Sequence, residues 1–182
     1  VGHWRASDGN PRAASPAPSG QTSDSRDAPV ARREVARLRA VVTLLQGEVE
    51  IDGRQAVLDD EITEGAVLAT GATGRISVQF GEATGWLVEP SSRLTVQTLD
   101  DERVFLLIAG AVSVDVTRRT LAQQLIVRAG ARRVEVRGTL FRVAERGGHV
   151  DVTVGRGRVA VVDDVGAVDV PAGMRLLLPK GS

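Results

Sequence analysis

From Val41 to Leu178, apolar side chains recur at every second position in short runs that end at glycines. Val49 and Ile51 alternate with charged neighbours, as do Ile76, Val78 and Phe80, and then Leu94 and Val96. Leu106 and Ile108 lead into Val112, Val114 and Val116. The pairs and triplets Val134/Val136, Val150/Val152/Val154, Val159/Val161 and Met174/Leu176/Leu178 complete the series. A period of two places each set on one face of a strand and its polar partners on the other. Composition agrees: 28 of 182 residues are valine, against 3 Phe, 2 Trp and no Tyr. β-branched side chains suit a pleated, half-buried surface. Glycines such as Gly47, Gly65, Gly110, Gly138 and Gly173 stand where turns demand positive φ. Turn signals every 8–12 residues or so predict an all-β domain of many short, antiparallel or wrapped strands, as a sandwich or a short solenoid-like stack. No alternation of strands with helices is visible, which argues against a parallel α/β sheet.

The chain ahead of the strands has a different character. Residues 1–29 read as a flexible tether, because Ser7 to Pro29 is Ser, Pro, Ala, Gly and Asp with almost no large apolar group. Such a segment cannot bury enough surface to offset the entropy of ordering it. Residues 30–40 carry Val35 and Leu38 at helical spacing in an Ala/Arg/Glu context, marking a short helix before the β domain at 41–180. The opening Val1-Gly2-His3-Trp4-Arg5 sets an aromatic beside a cation, a pattern that flanks membrane helices, and suggests an anchor just upstream. No run within the chain approaches the roughly 20 apolar residues a spanning helix needs.

The residues that could carry chemistry are few. Cysteine is absent, which excludes disulfides, thiolate metal sites and cysteine nucleophiles. His149 follows a Gly147-Gly148 turn, and His3 lies in the tail, so a two-histidine metal site is not expected. Asp59-Asp60-Glu61, Asp100-Asp101-Glu102 and Asp163-Asp164 lack the alternation of a calcium loop and read as solvated turns. Gly71-Ala72-Thr73-Gly74 and Gly155-Arg156-Gly157-Arg158 lead into strands, whereas a phosphate cradle needs a helix N-terminus. Arg118-Arg119 and Arg132-Arg133 have no interleaved aromatics, and 23 basic residues balance 23 acidic ones, so no nucleic-acid face is built. These readings predict no catalytic, metal or cofactor residues: the chain is not read as an enzyme.

One stretch is familiar. Val127 to Val143 contains Val136, Gly138, Thr139, Phe141 and Val143 in the spacing V-x-G-T-x-F-x-V, which resembles the hallmark of the FecR domain family. Gly138 would permit a sharp bend, the Thr139 hydroxyl would close it, and Phe141 and Val143 would share one buried face. The flanks are similar to the family's other elements: Gly65 to Phe80 with Thr70-Gly71, Glu89-Pro90-Ser91-Ser92 to Val96, Leu107 to Val112, Val154 to Val161, and Val170 to Gly173. Where the family has an Asp-Gly turn after the strand ending at Phe80, this chain has Gly81-Glu82-Ala83-Thr84-Gly85.

The resemblance implies a non-enzymatic sensory and protein-interaction domain, periplasmic and held to the inner membrane by a helix outside the sequence. It also implies protein partners in the bacterial envelope, with control of a sigma factor by analogy. A structural or scaffolding module of the envelope, docking proteins or glycans, is the alternative. The signature residues themselves are expected to be structural.

Overall fold

The computed structural model describes residues 39–179 apart from 101, 118–123 and 137. The tether expected over 1–29 therefore lies outside the described residues. So does the expected helix, except for its last two residues, Arg39 and Ala40, of which Ala40 already opens a strand. Among the described residues every regular element is a β-strand. In chain order these are β1 (Ala40–Gln46), β2 (Val49–Ile51), β3 (Arg54–Gln55), β4 (Glu61–Ile62), β5 (Val67–Thr70) and β6 (Arg75–Phe80). There follow β7 (Thr84–Val88), β8 (Arg93–Thr98), β9 (Glu102–Val116), β10 (Gln124–Ala129) and β11 (Arg132–Val136). The last five are β12 (Leu140–Arg146), β13 (His149–Arg156), β14 (Arg158–Val162), β15 (Ala167–Pro171) and β16 (Arg175–Leu178).

Hydrogen bonding links all of them through β9, the one long strand. Its first half pairs with β8 and β10, and its second half with β7 and β12. One layer thus runs β4-β1-β6-β7-β9-β12-β13-β16, and the other β3-β2-β5-β8-β9-β10-β11-β14-β15. Every pairing is antiparallel except β9 with β10. The inner faces of both layers feed one hydrophobic cluster. Trp86 of the first layer meets Phe105 of the second with ring centroids 4.7 Å apart. This is a sandwich of two facing sheets. A solenoid would stack its strands in parallel register instead.

The predicted alternation is realised strand by strand. Val49 and Ile51, Ile76, Val78 and Phe80, Leu94 and Val96, Val134 and Val136, the valines of β13, and Val159 and Val161 of β14 are all buried. Three stretches differ, one of them the closing Met174, Leu176 and Leu178, where Met174 is exposed and the two leucines are only half-buried. Ahead of Gly110 the core takes Phe105 and Leu107 rather than Leu106 and Ile108, and Ile108 is 47% exposed. The even-numbered phase of Val112, Val114 and Val116 does not extend back across Gly110, whose φ of +86° inserts a bend and reverses the faces. Third, Thr84 and Gly85 belong to β7 rather than to the hairpin loop, because Thr84 pairs with Phe80 and is buried beside Trp86. The buried Arg103 lays its guanidinium over the Phe80 ring, 4.7 Å from the centroid, a favourable placement of a desolvated cation.

Candidate functional site

Three sequence elements far apart in the chain meet where it passes between the layers. The Thr70 hydroxyl donates to the Glu89 carbonyl at 2.6 Å and accepts from the Ser92 amide at 2.9 Å. The Thr70 amide donates to the Ser92 carbonyl, and the Ser91 amide to the Gly71 carbonyl, both at 2.9 Å. The Ser92 hydroxyl in turn accepts from the Ala111 amide at 2.8 Å. Side-chain oxygens here replace the sheet partners that a crossing backbone loses, as any buried amide requires. Gly110 completes the junction: a Cβ there would lie 2.1 Å from Ser92 Oγ and 2.5 Å from Ser92 Cα.

A second junction is built from the signature. Gly138 has a φ of +71°, and Thr139 is fully buried. The Thr139 hydroxyl donates to the Arg158 carbonyl at 3.0 Å, and its own carbonyl accepts from the Val116 amide at 2.9 Å. The hydroxyl thus ties the bend to β14 rather than closing the bend on itself. Gly157 packs against it so closely that a Cβ would lie 2.8 Å from the Gly138 carbonyl oxygen. Val136, Phe141 and Val143 are each at most 2% exposed. Four of the five signature residues are thus buried, and Gly138 is half-buried.

A family model described as FecR protein matches residues 66–160, slightly more than half of the chain, and that span contains both junctions. The chain belongs to the FecR protein family. Its regulatory character follows from that membership. Two crystal structures of a "putative anti-sigma factor" from Parabacteroides distasonis ATCC 8503 are similar to the FecR-family fold seen here, with TM-scores of 0.56 and 0.57 at 17% and 18% identity. Each alignment covers 63% of this chain and 55% of that one, so the chain spans about half the length of those proteins. A comparison with curated proteins gave no match.

The remaining candidates are dispersed. Asp60 accepts a two-pronged contact from Arg54 at 2.9 and 3.1 Å and caps the Val57 amide, while Glu61 pairs with Arg39. Asp163 accepts from the Val165 and Gly166 amides, the work of a turn residue. Asp100 and Glu102 flank a position outside the described residues, and Arg118 and Arg119 themselves lie outside them. Arg132 is buried with its guanidinium on the Pro179 carbonyl, and Arg133 pairs with Glu135 at 2.8 Å. His149 is exposed at the start of β13. Among the described residues no group of three or more His, Asp or Glu side chains converges as metal ligands would.

The most organised surface lies on the outer face of the first layer. Glu89 receives both prongs of Arg142 at 2.7 Å and the Ser113 hydroxyl at 2.9 Å. Asp151 receives both prongs of Arg175 at 2.9 and 2.6 Å. Together with Arg146, His149 and Leu177, these arginines border an open depression of about 350 Å³. Nothing in the sequence signals the Glu89–Arg142 pair, since Glu89 follows β7 and Arg142 lies on β12, strands joined only through β9.

The Arg142 hydrogen bonds hold the Glu89 carboxyl below the usual carboxylate range, and Arg175 does the same for Asp151. A depressed folded-state value means the stabilisation is present above the unfolded value of about 4.3 and is lost as pH falls through the folded one. Glu89→Gln should therefore lower the melting temperature at neutral pH and make little difference once the pH is well below 4. A wild-type-like melting curve for Glu89→Gln at neutral pH would show the pair to be energetically idle.

Proposed function

We propose that this chain is the periplasmic sensory domain of a membrane-anchored FecR-type regulator, of the anti-sigma kind, and that it signals through protein contact without chemistry. Family membership supports a regulatory role. The observation that carries protein contact is an asymmetry between the two ends of the sandwich. At one end the edge strands β3 and β4 have only two residues each, and the exposed Val57 and Leu58 lie in the loop between them rather than on an open strand. At the other end β15 and β16 are longer, and Val165, Val168, Met174 and Leu177 are between 51% and 97% exposed. Sheets ordinarily blunt their edges with short strands and charge, so an apolar open edge marks a surface kept for a partner.

The envelope location has a clean test, because the chain contains no cysteine. Val57→Cys places a thiol at a position 56% exposed. In the full-length protein, a membrane-impermeant maleimide should label it in intact spheroplasts. Labelling only after lysis would put the domain on the cytosolic side and remove the sensory reading.

A further inference from the structure

We propose that β16 is a self-pairing edge, through which two copies of the domain join antiparallel about a two-fold axis at Leu176. The inference rests on the protein-contact reading above and names the partner as a second copy. Among the described residues β16 pairs only with β13. The Met174 carbonyl accepts from the Val154 amide. In an antiparallel ladder the groups that face a given neighbour alternate, so Met174, Leu176 and Leu178 face β13. Arg175 and Leu177 then turn their amides and carbonyls to the open edge.

Of the four edges this is the least protected. β3 and β4 are strands of only two residues each. On β15, Gly166 and Ala172 bond back to Asp163 and Gly157, so Ala167, Asp169 and Pro171 face outward. Proline has no amide to offer, and the charged Asp169 stands beside it.

The strand is complementary to itself in one register. Faces match across a new pair only when opposite residues have the same parity. With Arg175 opposite Arg175 of the second copy, like charges meet directly. With Leu177 opposite Leu177, Arg175 would lie opposite Pro179, which lacks an amide and whose carbonyl already accepts from Arg132. With Leu176 opposite Leu176, Arg175 pairs with Leu177 at both ends and all four outward backbone groups of each copy are used. Leu178 then faces Met174, which is 56% exposed. Leu176 and Leu178, half-buried against the core, continue across the junction. In this register the two Arg175 side chains do not stand opposite each other, and each keeps its own Asp151.

Sedimentation velocity of the full chain from micromolar to millimolar concentration tests this. A concentration-dependent dimer is expected. Leu177→Pro removes only an outward amide and leaves the β13 ladder intact, so the variant should fold, by circular dichroism, yet associate at least about tenfold more weakly. Leu176→Cys sits at the axis, where non-hydrogen-bonded partners have Cα atoms about 4.5 Å apart, within disulfide reach. It should cross-link on mild oxidation far faster than Val57→Cys. A monomer throughout with equal cross-linking of both variants overturns the proposal, as does a dimer that Leu177→Pro leaves unweakened. A monomer whose deletion still alters transcription would remove self-pairing alone, whereas a dimer without any transcriptional effect would remove the regulatory reading alone.

Discussion

Gly110→Val should leave the domain largely unfolded at room temperature. Two costs combine at this position. A β-branched residue is strained at a φ of +86°. Its Cβ would also overlap Ser92 Cα and the Ser91 carbonyl oxygen, at 2.5 and 2.6 Å, and these are backbone atoms of a buried junction. The expected loss exceeds about 4–5 kcal/mol, a large share of the roughly 5–15 kcal/mol that holds a domain folded. Alanine separates the two costs. Gly130 has a φ of +59°, and a Cβ added there would meet nothing within 4 Å, so Gly130→Ala should cost only about 1–2 kcal/mol. Gly110→Ala should cost several times more in urea unfolding. Equal losses would mean that Ser92 yields easily and that the junction is not tight.

Phe141→Ala should destabilise by about 3–5 kcal/mol, the range for deleting a buried ring. Phe141 is 2% exposed and lies opposite Val154 on β13 and Val114 on β9, at the centre of the first layer. For a domain of this size that is a fall in melting temperature of about 10 °C or more. Near-wild-type melting would show that the ring's surroundings collapse around the gap. It would also weaken the view that the signature serves the fold alone.

Much of the architecture was legible because a pleated sheet writes its period directly into the sequence. The valines of β11 and β13 and Val159 and Val161 of β14 alternate, and each is buried. Legibility ended where the backbone departs from the ideal pleat. Ile108 reads as a core residue only if the phase of Val112 is carried back through Gly110, and the bend there inverts it. Thr84 and Gly85 carry the composition of a loop, yet Thr84 is buried because β7 must begin there for Trp86 to reach the core. The motif glycines and hydroxyl residues were visible as a set. Their convergence was not, since Thr70, Ser92 and Ala111 are brought together only by the crossing of the layers. Which strands would be edges was equally hidden, because edge and interior strands share the same period. The Arg175–Asp151 and Arg142–Glu89 pairs depend on that strand order and could not precede it.

The regulatory role is tested most directly by transcription in the native organism. Residues 41–180 would be deleted in the full-length protein, leaving everything upstream of residue 41 in place, and transcripts compared genome-wide with the parent strain. A coherent change confined to the promoters of one partner sigma factor is the expected result. Unchanged transcription together with a loss of envelope integrity would contradict it, and the domain would then stand as a scaffold of the cell envelope.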